Sequence, residues 1–424
     1  MQNFNEFIND LKTLISYKSV LASPEKNAPF GIECRKALDC FLSIAERFGF
    51  ETINYDGYGG EIAIGSGEEV GIIGHLDVVP TGIGWNTDPF TLTEKDGTYY
   101  GRGIADDKAA PLLCLYALKE LKDSGISVNR KIRLIVGCDE ESGWRDIAYM
   151  KKVSHFPEYG FSPDAGFPLS YAEKSITEVE FCIPALKNFH GIVGGTALNA
   201  VCDFASVTTT LENIDLDLIK KHGLSLKDNG VIESVGKAAH GSSPHLGKNA
   251  IKPLFELFKD CGEDVDGVID YLFNDKYGLF NIKTEQGNVT LSPNLIKQVD
   301  DKIYIKCDCR IPAPLNEEDL TAAFDSFNIP YTVKSRHPSM MVEKEGWLVS
   351  ALLSAFNAVT GSDEKPFAMG GSTFARAFKH GCAFGPIMKG KDNKIHDANE
   401  FMTKSELLTA YEIYKKAIFN LAEK

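Results

Sequence analysis

Nowhere in the 424 residues does an apolar run reach the ~20 residues a spanning helix needs, which excludes an integral helical membrane protein. Positive charge is also scarce: 45 Lys plus Arg stand against 59 Asp plus Glu, a net charge of −14. A duplex-DNA or RNA binder would show the reverse balance, because it neutralises phosphates with clustered basic side chains. The ten cysteines are scattered and build no short, dense framework. That excludes a disulfide-stapled secreted domain and fits buried thiols in a reduced, cytoplasmic chain. Cys307 and Cys309 flank one residue, and same-face positions on a strand account for the pair. There is no internal repeat, no low-complexity tract and no Pro- or Ser-rich linker. Neither GYGG (57–60) nor GRG (101–103) supplies the GxGxxG of a dinucleotide-binding turn. The first residues lack the basic segment and unbroken apolar run of a secretory signal. Instead Phe4, Phe7, Ile8, Leu11, Leu14 and Ile15 recur at helical spacing and predict an amphipathic surface helix that begins the fold.

What is present is an alternation of strand-like and helix-like patterns over the first ~170 residues. Residues 29–48 read as an amphipathic helix, and EIAIGSGEEVGIIGHLDVV (61–79) as two short apolar strands parted by Gly65, Ser66 and Gly67. Residues 108–121 read as a helix, with Pro111 tolerable only in its first turn. KIRLIVGCDEE (131–141) is a buried strand that empties into acidic residues. Helical patterns return at 343–359 and 403–421. The alternation predicts an α/β layer structure with a mostly parallel sheet flanked by helices. From 173 to 338 the runs are shorter and β-rich (TEVEFCIP, GNVTLSP, KIYIKCDCRIP), with helices expected near 211–222, 249–259 and 316–327. This segment reads as an α+β insertion, with residues 1–172 and 339–424 forming one domain around it.

Five segments hold most of the chemistry-bearing residues: GHLDVVP (74–80), GRGIADDKAA (101–110), CDEESG (138–143), SPDAGFP (162–168) and KIHDANEF (394–401). Imidazoles and carboxylates sit just after apolar strands or in the following loop, the edge where ligands bind in open α/β sheets. His75 and Asp77 point to one face of an extended chain, so the carboxylate can fix the tautomer of a metal-ligating imidazole; a Gly/Pro-bracketed turn is the alternative. Asp106 and Asp107 precede an apolar helix, where one Asp could simply be a cap. Glu140 and Glu141 end a buried strand, and neighbouring strand side chains diverge, so one can bind a metal while the other faces elsewhere. Asp164 in a Pro-bracketed loop and His396 in a Gly/Lys/Asp-rich loop would each pass alone for surface residues. Together, two His and three carboxylates suit two zinc ions at N/O sites, and one bridging carboxylate would hold them at the ~3.5–4 Å of two-metal hydrolases. No thiol ligand is implied, which marks a catalytic rather than a structural site.

The order H-x-D, G-R-G-x-x-D, D-E-E, D and a late H resembles, over essentially the whole chain, the two-zinc metallopeptidases. That family includes aminoacylases, acetylornithine deacetylase, succinyl-diaminopimelate desuccinylase, glutamate carboxypeptidases and carnosinase-like dipeptidases. SPDAGFP followed by YAEK (171–174) is most similar to the PepV-like, Xaa-His dipeptidase branch. The resemblance implies a zinc-peptidase-like catalytic domain with an inserted lid domain. It implies His75 and Asp164 on one cation, Glu141 and His396 on the other, Asp106 bridging, Asp77 orienting His75 and Glu140 as general base. Zn2+ is the expected metal, with Mn2+ and Co2+ also suited to N/O ligands. It further implies a cis peptide between Asp106 and Asp107, and Ala109 departs from the usual Gly. In the insertion, His240 would polarise the scissile carbonyl. Asn199 would donate a second hydrogen bond, and the fork of Arg310 would meet a substrate carboxylate or oxyanion. MGGSTFAR (369–376) would present the amides of Gly370 and Gly371 to the substrate carboxylate. The expected reaction is cleavage of a small peptide's amide bond by a hydroxide bridging the metals, with no nucleic-acid or membrane partner; an N-acyl amino acid deacylase is the alternative. The enlarged insertion implies a monomer, with a homodimer as the alternative.

Overall fold

The computed structural model describes residues 1–423 except Gln2, Asn213 and Asn316. Asn213 and Asn316 fall in two of the expected helices and lie outside the described residues. The chain divides into two compact units: Met1–Tyr171 with Met341–Phe367 and Thr373–Lys424, and Ala172–Met340 with Ala368–Ser372. Gly370 and Gly371 therefore belong to the second unit. Among the described residues no helix is long and apolar enough to cross a membrane.

The first unit is built on a sheet whose centre is parallel. The strand Glu69–His75 pairs in parallel with Lys131–Gly137 on one side and Tyr159–Ser162 on the other, and His380–Ala383 adds a fourth parallel strand. The flanks run the other way: Gly59–Ile64 is antiparallel to Lys131–Gly137, and Ser170 pairs antiparallel with Ala383. Within this sheet, parallel pairing is thus confined to the central strands. Ile72, Ile73, Ile132, Leu134, Ile135 and Phe161 are fully buried there. The helix Ala109–Ser124, with Pro111 in its first turn, is the crossover between Glu69–His75 and Lys131–Gly137, and nearly every residue from Ala109 to Leu118 is buried. The helix expected from residue 29 begins at Ile32, because Gly31 takes a left-handed φ of 98° just before it. Gly71 and Gly160 lie where the ring of Phe378 crosses the strands, and a Cβ at either would come within 2.5 Å of it. The C-terminal ends of the central strands share one edge, so His75, the turn after Gly137 and the loop after Ser162 open to the same side.

The second unit is an eight-stranded sheet, antiparallel at every pairing between neighbours. Along Ser175–Pro184 burial alternates, with Val179 and Phe181 inward and Glu178 and Glu180 outward, as one solvated face requires. The helix Ile251–Asp260 lays Leu254, Phe255 and Phe258 into this core with Cys307 and Cys309, which share the buried face of Lys302–Ile311. None of the ten cysteines, all among the described residues, is in a disulfide.

Candidate active site

His75 ends its strand fully buried. Its Nε2 lies 3.0 Å from Asp106 Oδ1 and 3.7 Å from Asp164 Oδ2. His396, left-handed at φ 63°, places Nε2 2.9 Å from Asp106 Oδ2 and 3.2 Å from Glu141 Oε2. Two groups result, His75–Asp106–Asp164 and Asp106–Glu141–His396, each with ligand atoms within 4.8 Å of one another, and Asp106 is common to both. One oxygen of Asp106 faces each imidazole. The Asp106–Asp107 peptide is cis.

Two features of the donor set fit divalent cations. Glu141 Oε1 is buried without a hydrogen-bond partner among the described residues. The electrostatics are those of crowded carboxylates: burial, reinforced by Asp106, pushes Asp164 up to about 8 and raises Glu141, whereas at Asp106 burial is outweighed by the two imidazoles, which hold the carboxyl well below the usual range. Burial opposes the charge on His75, but its bonds to Asp106 and Asp77 keep the ring well above its ordinary value. Bonds to Asp106 and Glu141 raise His396 to about 11. Protons balance here what cations of higher charge would balance, which is the linkage expected of a metal site.

Glu140 belongs to neither group. It is half-buried, and burial pushes its carboxyl well above the ordinary value. Its orientation does not come from a strand pleat, since the strand stops at Gly137. It comes from Asp77, whose Oδ1 and Oδ2 accept the backbone N–H of Glu140 and Glu141, each at 3.1 Å. Asp77 also faces His75. His75 Nδ1 bonds chiefly to the backbone oxygen of Asp77 at 3.0 Å, with the carboxylate at 3.4 Å.

Other supports were not legible beforehand. Buried Asp146 accepts the N–H groups of Cys138 and Asp139, and Asp139 pairs with Arg145, so the acidic turn is clamped on both sides. Fully buried Lys108 donates to the carbonyls of Leu14 and Tyr17 at the end of the first helix. Asp107 Oδ2 accepts the His75 N–H at 3.3 Å, and a Cβ on Gly74 would meet that oxygen at 2.6 Å. Arg102 and Glu400 form a fully buried ion pair at 2.7 Å. The one sequence signal for these was position: each lies inside or just beside a ligand-bearing motif.

In the second unit the expected binding residues form a cluster of their own. Arg310, buried, spends its Nε–Nη2 edge on Asp308 at 2.6 and 2.8 Å, and Nη1 donates to Gly370 O at 3.2 Å. The fork expected to meet substrate is therefore engaged on one edge by a residue that sequence reasoning passed over. His240 is exposed; its Nδ1 accepts the Ser242 backbone N–H at 3.2 Å and lies 2.7 Å from the Ser242 hydroxyl. An amide can only donate, so in the neutral ring Nε2 carries the proton. Asn199 enters through its backbone, whose oxygen accepts from Gly241 N–H at 2.6 Å; its exposed side chain stands apart from these bonds. A Cβ on Gly370 would come 2.9 Å from Ser242 Cβ, so the Gly370 backbone lies close against the Ser242 side chain. Gly371 follows it.

The sequence profile of Peptidase family M20/M25/M40 matches residues 71–420. The chain belongs to this peptidase family. Two M20/M25/M40 relatives from staphylococci, both provisionally named dipeptidases, align over nearly the whole chain. The Staphylococcus saprophyticus protein is 30% identical over 99% of this chain and 98% of its own length. The Staphylococcus haemolyticus protein is 31% identical over 98% and 97% respectively. Human carnosine dipeptidase 1 shares the fold, with a TM-score of 0.61 at 17% identity, covering 100% of this chain and 98% of that one.

Proposed function

We propose that the protein is a metal-dependent dipeptidase that holds two divalent cations, one on His75, Asp106 and Asp164, the other on Asp106, Glu141 and His396. The observation that carries this reading is Asp106, which turns one oxygen to each imidazole at 3.0 and 2.9 Å. The donors are nitrogen and oxygen only, which suits Zn2+, with Mn2+ and Co2+ as further candidates. When bound, such a pair polarises the scissile carbonyl and lowers the pKa of water.

The chain's own residues do the rest. Glu140, free of both ligand groups, accepts the proton of the attacking water and returns it to the leaving amine. Burial raises its carboxyl, which makes it the stronger acceptor of that proton. The Nε2–H of His240 and the Nη1 side of Arg310 are donors suited to a developing oxyanion and to the C-terminal carboxylate of a short peptide. Dipeptides are the favoured substrates because relatives aligned over nearly the full length carry that name. The test is a kinetic panel of Ala-Ala, β-Ala-His and N-acetyl amino acids, before and after chelation and metal return. Metal-restored cleavage of dipeptides is expected; cleavage of the N-acetyl compounds alone would replace the reading with a deacylase.

A further inference from the structure

Glu400 lies four residues beyond His396 and just before the strand Phe401–Thr403, and it is fully buried. Its carboxylate is surrounded by amides of the turn that delivers Asp106. Oε1 accepts from Gly103 N–H at 3.1 Å, Ala105 N–H at 2.8 Å and Asp106 N–H at 3.1 Å; Oε2 accepts from Gly103 N–H at 3.0 Å. Arg102 Nη1 donates to Oε2 at 2.7 Å and supplies the charge that makes a buried carboxylate tolerable. The Glu400 carbonyl accepts from Gly101 N–H at 3.1 Å. One side chain thus satisfies the inward-pointing amides of a turn that has no strand or helix partner for them.

The preceding residue extends the grip. Asn399 donates from Nδ2 to Gly84 O at 3.0 Å and accepts Asn86 N–H at 2.8 Å, so the His396 loop is also fastened to the loop that follows His75 and Asp77. The two cation groups do not depend on this equally. His75 is fixed by its strand and by Asp107, and Asp164 follows a strand end. His396 sits on an irregular loop with its side chain 48% exposed, and Glu400 is what ties that loop to Asp106.

We propose that Glu400 is a positioning residue that holds the His396 loop against the Asp106 turn, and so sets the Asp106–Glu141–His396 group more than the His75–Asp106–Asp164 group that shares Asp106. The proposal rests on the two-cation reading. Removing such an outer support of a metal ligand costs about 10–100-fold in affinity.

The experiment titrates metal-free full-length protein with Co2+, following stoichiometry and the visible absorption of the bound ion, in wild type, Glu400→Gln, Glu141→Gln and Asp164→Asn. Glu400→Gln should reproduce the Glu141→Gln pattern, with one Co2+ weakened at least about tenfold. The other should weaken less; because Arg102 is left unpaired in the core, the metal-free melting temperature should fall, and the titrations are made well below it. Unchanged affinities and spectra would overturn the proposal, as would equal weakening of both ions, or the Asp164→Asn pattern. Wild type taking up fewer than two Co2+ would overturn the two-cation reading itself. If Glu400→Gln does not fold, Glu400→Asp decides the matter, because it keeps the charge opposite Arg102 while withdrawing the carboxylate from the amides.

Discussion

Asp77, Glu140 and Glu141 are three acidic residues within one hydrogen-bonded knot, and what separates their roles is what each oxygen faces. The Asp77 oxygens accept backbone amides and one also lies 3.4 Å from His75 Nδ1, Glu141 faces His396, and Glu140 belongs to neither cation group. Glu140→Gln keeps shape and metal ligands but removes the proton acceptor. We expect kcat to fall by about 10²–10⁴-fold with cation stoichiometry unchanged, measured as turnover alongside metal content. Retained turnover would reassign the base. Asp308 is the second residue-scale case: its bidentate pair with Arg310 aims the guanidinium. Hydrogen bonds to charged groups contribute about 1.5–3 kcal/mol, so Asp308→Asn should raise KM for a dipeptide roughly tenfold or more while kcat changes less. Steady-state kinetics that leave KM untouched would remove Asp308 from substrate recognition.

At the scale of elements, the parallel core depends on absent side chains and on a partly buried charge network. Phe378 packs across the strands where Gly71 and Gly160 present no Cβ. Gly71→Ala forces the ring aside, and overpacking of this kind costs about 1–3 kcal/mol, readable as a lower urea midpoint. At the start of the same strand Glu69 bonds to Arg133, Lys131 and His155. Burial raises its carboxyl, but those partners outweigh it and bring the pKa from 4.5 down to about 2. Between those values the unfolded chain binds a proton that the folded chain does not, so stability rises with pH there. The contribution is complete above about pH 4.5 and is lost as pH falls towards 2. The stability gap between wild type and Glu69→Gln should therefore close as pH is lowered across that window, measured by urea unfolding of metal-free protein. A gap independent of pH would refute the assignment.

For the whole molecule, the proposed cations would join parts of the chain that are far apart in sequence. His75 and His396 come from opposite ends of the first unit and meet through Asp106. Cations that bind the folded chain alone add about 2.7 kcal/mol per site at a hundredfold excess over Kd. Chelation should lower the melting temperature and activity together, and Zn2+ or Co2+ should restore both. Recovery of activity without a change in melting temperature would mean that the ions bind without bracing the fold.

Local pattern was enough for much of this protein. Apolar spacing located the helices Phe4–Ser16, Ala109–Ser124 and Lys404–Glu423 within a few residues, since one face of each must be buried wherever it packs. Ordered spacing of His, Asp and Glu named the residues that come together in the two cation groups. The sequence could not say what a carboxylate oxygen touches, because that depends on partners with no local signal. Asp106 and Glu400 are 294 positions apart, and the Asp77 carboxylate meets amides more than 60 residues away. Side-chain type settles which chemistry a residue can offer. Only the folded chain decides whether a buried carboxylate ligates, takes up a proton or holds a turn in place, because burial obliges every polar atom to find the partner that geometry brings.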